Sequence, residues 1–150
     1  MDQEVSFAPM TEHDIPAVRQ LHEACGLSYW SENSYQEAIK DNNSILYTAK
    51  AGNELAGFIS VRLITSEFLC EILNIAVESK FRDKKIGSGL LLQLLNNIDS
   101  QISKIWLEVR EGNRAAIGFY QGQGFKVVGN RKNFYRDPVE NALLMQKDLG

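Results

Sequence analysis

The fold of this chain is decided by one stretch of its sequence, Ile75-Ala76-Val77-Glu78-Ser79-Lys80-Phe81-Arg82-Asp83-Lys84-Lys85-Ile86-Gly87-Ser88-Gly89-Leu90. The apolar run that ends at Val77 predicts a strand, and apolar residues at helical spacing from Ile86 onward predict an amphipathic helix. A basic loop joins the two. Because a helix N-terminus carries unsatisfied N–H groups and partial positive charge, this arrangement is typical of an anion site. From the residues alone, a solvated basic turn stays an equal alternative.

Strands and helices are predicted on both sides of this stretch, in the order strand, two helices, three strands, and then strand–helix units. Such an order favours an α/β (α+β) fold, with a mixed central sheet of six to seven strands and about four helices on its faces. The helices are expected after Thr11, after Ser31 or Ser34, from Ile86 and from Asn113. The strands are expected at Val5–Ala8, Ile45–Ala49, Leu55–Ile64, Phe68–Val77, Ile105–Val109, Phe125–Val128 and Ala142–Met145.

The composition of the chain is that of an ordinary globular protein, with 150 residues, 44% hydrophobic residues and a net charge of −3. This length predicts one domain, 1–150. Two cysteines without metal-ligand spacing predict neither a disulfide framework nor a metal site. With no long basic block, no apolar run of about 20 residues and no signal peptide, we expect no nucleic-acid partner, no membrane span and a cytoplasmic location.

The loop itself carries a family resemblance in Arg82-Asp83-Lys84-Lys85-Ile86-Gly87. These residues resemble the [QR]-x-x-G-x-[GA] signature of the GNAT superfamily of N-acetyltransferases, which lies between the fourth strand and the third helix. Lys85 stands where the first glycine is usual. We expect Lys85 to offer its backbone N–H with a negative φ.

Further segments are similar to one subgroup, the ribosomal-protein-alanine N-acetyltransferases (RimI-like). Its W-L-E-V-R … N-x-x-A-x-x-x-Y-x-x-x-G-F run is matched from Trp106 to Phe125, and its P-W-S-E and R-R-N-Y-Y segments are matched by 29–32 and 131–135. The resemblance covers nearly the whole chain. It implies the GNAT fold, acetyl-CoA as co-substrate, no metal, and a protein N-terminal α-amine as acceptor, with a ribosomal protein as the resembled substrate.

Glu108 draws attention from its position alone, because it lies inside an apolar strand. Strand alternation puts Trp106, Glu108 and Arg110 on one face and the apolar residues on the other. Desolvation there would raise the pKa of the carboxyl toward the range of a general base. A Glu108 that only pairs with a nearby cation is the alternative. The resemblance implies that Glu108 is the general base, acting directly or through water.

The remaining site residues are those that the resemblance implies. Tyr120 is the general acid and, with Asn113 on the same helix face, contacts the pantetheine arm; from spacing alone, Asn113 is a helix cap and Tyr120 a core aromatic. The other cofactor-binding residues act through backbone position: Ile75, Ala76, Val77, Arg82, Asp83, Lys84, Lys85, Ile86, Gly87, Ser88 and Gly89.

The acceptor side of the site rests on fewer residues. Trp30, Tyr35 and Tyr135 are expected to line a peptide groove with Glu108. Acetylation of a small amine, such as a polyamine, amino acid or antibiotic, is the alternative enzymatic hypothesis, since a fold does not choose an acceptor. A non-catalytic acyl-CoA-binding module is the alternative of another class. We expect a monomer or a weak homodimer.

Overall fold

The computed structural model describes residues 4–27, 30–82 and 84–150, and in these it contains seven strands and four helices. The prediction of a mixed α/β sheet flanked by helices is confirmed. The strands are β1 Val5–Pro9, β2 Ser44–Ala51, β3 Glu54–Ile64, β4 Leu69–Val77, β5 Lys104–Arg110, β6 Lys126–Tyr135 and β7 Glu140–Asp148. The helices are α1 Ile15–Ala24, α2 Glu32–Lys40, α3 Ile86–Asn97 and α4 Arg114–Gly122.

The seven strands follow the order β1-β2-β3-β4-β5-β7-β6. The pairs β1–β2, β2–β3, β5–β7 and β6–β7 are antiparallel, and β4–β5 is parallel, so the sheet is mixed. The chain divides into two compact units, Met1–Leu63 with Leu73–Asp99, and Ile64–Ile72 with Ser100–Gly150. One domain over 1–150 stays a prediction.

The first unit is built around the two N-terminal helices and their apolar faces. The backbone N–H of Thr11 donates to Asp14 at 2.9 Å, so the expected helix start is present as a short 3-10 turn leading into α1. The hydroxyl of Ser31 accepts from the N–H of Ser34 at 3.0 Å and caps α2. Both helices pack on a core that holds Val18 and Phe58.

The second unit holds α4, the antiparallel strands β5, β7 and β6, and the start of β4, which pairs parallel with β5. Leu107 on β5 pairs with Met145 on β7, and both side chains are buried. The predicted last two strands, Phe125–Val128 and Ala142–Met145, are too short. Both extend to a turn at Arg136–Val139, because β7 pairs with the polar, exposed residues of β6, which carry no apolar alternation for sequence reasoning to detect.

Gly89 lets α3 approach β1 closely. A Cβ built at Gly89 would lie 2.2 Å from Cζ of Phe7, so the ring or the helix would have to move. We therefore expect Gly89→Ala to lower the free energy of unfolding by about 1–3 kcal/mol, measured by urea denaturation. Gly118→Ala is the matched control. Gly118 lies exposed in α4 with nothing within 4 Å of its Cβ position, and alanine there should gain about 0.5–1 kcal/mol. Equal effects of the two substitutions would contradict this account.

Candidate active site

The basic loop and the start of α3 lie as the sequence predicts, directly after β4. Ser79–Phe81 form a 3-10 turn, and α3 begins at Ile86. The helix start packs tightly on the sheet because Gly57 of β3 has no side chain. A Cβ there would lie 2.8 Å from the carbonyl oxygen of Ala76 and 3.1 Å from Cγ2 of Ile86. Asp83, predicted to bind the cofactor, lies outside the described residues.

The loop differs from expectation at two residues. Lys85 has φ 59° and ψ 29°, a left-handed conformation, so the expected negative φ is wrong. The backbone keeps the shape that a glycine favours, although the side chain has changed. The N–H of Gly89 donates to the carbonyl of Lys85 at 3.0 Å and makes the first turn of α3. It is therefore engaged within the helix, and Gly89 serves packing rather than anion binding.

Lys85 gives a test of this strain. A left-handed φ costs a residue with a Cβ about 1–2 kcal/mol. Glycine relieves this strain, but it also raises the conformational entropy of the unfolded chain, which offsets part of the stabilisation. We expect Lys85→Gly to raise the free energy of unfolding by about 0.5–1 kcal/mol. Lys85→Ala is the control, because it removes the same charge but keeps the Cβ and the strain. A gain of equal size in both variants would assign the effect to charge instead.

The strand before the loop holds the predicted pantetheine segment. The parallel register of β4 with β5 covers Leu69–Glu71. Ile75–Val77 lie further along β4, with Ala76 buried and its two neighbours half-buried. Arg82, Lys84 and Lys85 of the basic loop are exposed.

Glu108 lies on β5 with the predicted alternation, its apolar neighbours Leu107 and Val109 buried on the opposite face. Its side chain is 16% exposed, and Oε1 lies 3.5 Å from the guanidinium of Arg131. Desolvation raises the pKa of the Glu108 carboxyl; Arg131 opposes the shift and Glu71 adds to it. The carboxyl thus has both an ion-pair partner and a raised pKa, which suits a general base.

Tyr120 is buried in the same unit, with 6% of its surface exposed. Its ring packs edge-on against Phe119 and Phe125, at 5.3 and 5.5 Å between centroids. Burial, with a smaller effect of Tyr135, raises the pKa of its hydroxyl, which therefore stays protonated at neutral pH. Asn113 caps α4, since its Oδ1 accepts from the N–H of Ala116 at 3.2 Å.

The three predicted acceptor residues have different surroundings. Tyr135 ends β6 half-buried, and burial together with the Glu108 carboxylate raises the pKa of its hydroxyl. Trp30 is half-buried against the first unit's core. Tyr35 is fully buried at 0% exposure, and its hydroxyl is hydrogen-bonded to Nδ1 of His22. We therefore correct the expectation for Tyr35, which is a core residue with no surface for a substrate.

Arg131 is the ion-pair partner of Glu108 that sequence reasoning does not single out. The R-R-N-Y-Y resemblance includes Arg131, but its contact with Glu108 joins β6 to β5 across the intervening strand β7, and no local pattern specifies this strand order.

Removal of Arg131 should change the pH dependence of the reaction. A general base at Glu108 would work only when ionised, so the rate would fall as pH drops through the pKa of this carboxyl. Arg131 favours the ionised carboxylate and lowers that pKa. In Arg131→Gln we therefore expect the acidic limb of the pH–rate profile to move to higher pH, with the plateau rate retained. Lys132→Gln, a neighbouring exposed cation, is the control. A limb that stays in place or moves down would contradict the pairing.

The described residues, 4–27, 30–82 and 84–150, show neither a metal-binding cluster of three His, Cys, Asp or Glu side chains nor a membrane-spanning helix. Cys70 is fully buried, and burial raises the pKa of its thiol to about 12, so it is a packing residue.

The sequence and fold match known proteins along most of the chain. Residues 15–125 match the acetyltransferase (GNAT) family. Ribosomal protein bS18-alanine N-acetyltransferase of Escherichia coli (strain K12) is 27% identical over 135 residues, which are 88% of this chain and 89% of that protein. N-alpha-acetyltransferase RimI of Mycobacterium tuberculosis is 28% identical over 150 residues, or 97% and 94% of the two chains.

A solved structure agrees with the fold. The crystal structure of Arabidopsis thaliana NAA60 in complex with acetyl-CoA has a TM-score of 0.85, with 17% identity, over 97% of this chain and 99% of that one. At this identity the likeness shows the fold alone.

These matches and the site define a class of enzyme that moves an acyl group onto an amine. The chain belongs to the acetyltransferase (GNAT) family. It is an acetyl-CoA-dependent N-acetyltransferase, as its sequence relatives indicate.

Proposed function

We propose that this enzyme transfers the acetyl group of acetyl-CoA to the α-amine at the N-terminus of a protein, with a ribosomal protein as acceptor, and that Glu108 is the general base and Tyr120 the general acid. The observation that carries the proposal is the Glu108 carboxyl of β5. Its side chain is 16% exposed, its strand neighbours Leu107 and Val109 are buried, and desolvation raises the pKa of the carboxyl.

The proton balance assigns one task to each residue. Glu108 takes a proton from the substrate ammonium, directly or through one water, and leaves a neutral amine. The amine nitrogen forms a bond to the thioester carbonyl carbon, the C–S bond breaks, and the nitrogen gives its second proton to water as the neutral amide forms. Tyr120 gives its proton to the departing sulfur, because its raised pKa keeps that proton available. Solvent then restores both residues, and no covalent enzyme intermediate is needed.

The residues around the β4–α3 loop fit the co-substrate that the family uses. When bound, acetyl-CoA supplies an activated acetyl group. The backbone of Ile75–Val77 would pair with the pantetheine amides, and the amide group of Asn113 would contact the same arm. Backbone N–H groups at the start of α3, before the first intrahelical bond at Gly89, would face the pyrophosphate, with the loop cations at the rim.

The acceptor assignment is supported by the relatives, two of which are named for alanine or N-alpha acetylation. Within the second unit, Tyr135 is a half-buried aromatic residue of the kind that suits contact with the first side chains of a peptide. Ribosomal proteins are made in the cytoplasm, so the proposal places the enzyme there.

The experiment is acetylation of a panel by the purified enzyme. The panel contains a peptide with the N-terminal residues of ribosomal protein bS18, the same peptide with a formylated α-amine, and polyamines, amino acids and aminoglycosides. We expect turnover on the free peptide, mass addition of one acetyl group at its first residue, and none on the blocked peptide. Turnover on small amines only would replace the proposal with the small-amine hypothesis.

A further inference from the structure

The last residue of β5, Arg110, makes an unusually complete set of contacts with the β6–β7 turn. Its guanidinium donates to the carbonyl oxygen of Pro138 at 3.2 Å, to Oε1 of Glu140 at 3.2 Å, and to the carbonyl oxygen of Arg136 at 3.3 Å. Its Cζ also lies 4.3 Å from the centroid of the Tyr135 ring. One side chain therefore holds both ends of the Arg136–Val139 turn and the ring that precedes it.

Glu140 is in turn held on both oxygens. While Oε1 accepts from Arg110, Oε2 accepts from the backbone N–H of Gly112 at 2.6 Å. A Cβ on Gly112 would lie 2.6 Å from that same Oε2, so only glycine allows this approach. The Arg110 and Glu140 side chains are 31% and 25% exposed, so the contact is partly shielded from water. We call Arg110, Glu140 and Gly112 the turn clamp.

The clamp uses properties that only arginine has. A planar guanidinium donates several hydrogen bonds in fixed directions and also stacks on an aromatic face, whereas a lysine ammonium is a point charge that cannot do both. Arg110 lies two residues after Glu108 on the same face of β5. Arg110 contacts the ring of Tyr135, and the charge of the Glu108 carboxylate helps to raise the pKa of the Tyr135 hydroxyl.

From this geometry we infer that Arg110 is a positioning residue for the acceptor, which fixes the Tyr135 ring and the Arg136–Val139 turn so that the first residues of the acceptor peptide bind beside Glu108. The inference rests on the proposed function and deepens it. Arg110 acts through Tyr135 and the turn, and it takes no part in proton transfer. Its loss should therefore weaken the peptide's binding more than the chemistry or the binding of acetyl-CoA.

The test compares Arg110→Met, Arg110→Lys and Glu140→Gln with the wild type, using the bS18 N-terminal peptide. For Arg110→Met we expect the peptide KM to rise about tenfold or more, since charged hydrogen bonds are lost, with the KM for acetyl-CoA and kcat within about twofold. Arg110→Lys should rescue only part of the loss. Arg110→Met with Glu140→Gln should be no worse than Arg110→Met alone, because the two residues act together.

A control separates a specific effect from a general one. Lys147→Met removes another cation–carbonyl contact of the same unit, Nζ to the carbonyl oxygen of Gln123 at 2.7 Å, and should leave the peptide KM unchanged. A peptide KM within twofold of wild type in Arg110→Met, or an equal rise for peptide and acetyl-CoA together with a lowered Tm, would overturn the inference.

Hydrogen exchange keeps the clamp testable if the acceptor assignment fails. We expect faster amide exchange across Phe134–Glu140 in Arg110→Met than in wild type, whichever amine is acetylated. Unchanged exchange there would reject the clamp itself. Turnover of the wild type on small amines only, with faster exchange in the variant, would reject the peptide acceptor and the positioning role toward it, while the clamp would stand.

Discussion

Replacement of Glu108 by glutamine is expected to lower kcat by about 10²–10⁴-fold, the range that a positioned general base contributes. The amide has nearly the same shape as the carboxyl but cannot take the substrate's proton. The affinity for acetyl-CoA, measured by calorimetry, should change little, because the contacts proposed for acetyl-CoA do not include the Glu108 side chain.

The thermal stability of Glu108→Gln is a second, independent test of the environment of this carboxyl. Folding raises the pKa of Glu108, so the stability that this group contributes is fully present below its unfolded pKa and is lost as pH rises through the folded pKa. At neutral pH the ionised Glu108 carboxylate therefore does not stabilise the folded state, and Glu108→Gln should not lower Tm. Arg131 loses its partner but is 49% exposed, so that loss is small.

The control for Glu108 is Glu111→Gln. Glu111 is an exposed carboxylate of the same unit that accepts from Asn141 at 3.0 Å, and its loss should leave kcat near wild type. A fall in kcat of similar size in both variants would show that net charge, rather than the base, sets the rate. A kcat of Glu108→Gln equal to that of the wild type would show that Glu108 is not the general base.

Replacement of Tyr120 by phenylalanine is expected to lower kcat by about 10²-fold or more, since the proton donor to the leaving sulfur is lost. The ring contacts with Phe119 and Phe125 need no hydroxyl, so the free energy of unfolding should stay close to wild type. Initial rates of thiol release at saturating substrates and a thermal melt measure the two quantities.

Tyr35→Phe is the matched substitution for Tyr120→Phe, because it also removes one hydroxyl from a buried tyrosine. The Tyr35 hydroxyl is the partner of the buried His22 ring, so its loss should cost about 1–3 kcal/mol of stability with kcat and both KM values unchanged. The two variants should thus show opposite patterns. A rate loss in Tyr35→Phe, or a stability loss without a rate loss in Tyr120→Phe, would reverse the assignment of core and catalytic tyrosine.

The elements that could be predicted from sequence are those whose signal is local. The helix starts depend on side chains that hydrogen-bond within three residues: Thr11 begins the 3-10 turn that leads into α1, Ser31, one of the two predicted caps, begins α2, and Asn113 begins α4. The alternation around Glu108 is equally local, since successive strand residues point to opposite faces. The extension of β6 to Tyr135 was missed because its polar residues are ordered by pairing with β7 rather than by burial.

The sequence by itself determined the fold class, the order of strands and helices, the basic loop before α3, and the carboxyl on β5, because periodicity and capping act over a few residues. Only the tertiary structure decided that Tyr35 is a core residue, that Lys85 has a glycine-like backbone, and that Gly89 packs against Phe7. It also decided that Arg131 contacts Glu108 and that Arg110 contacts the β6–β7 turn. Those properties depend on atoms from distant parts of the chain, and no local pattern specifies which of them will meet.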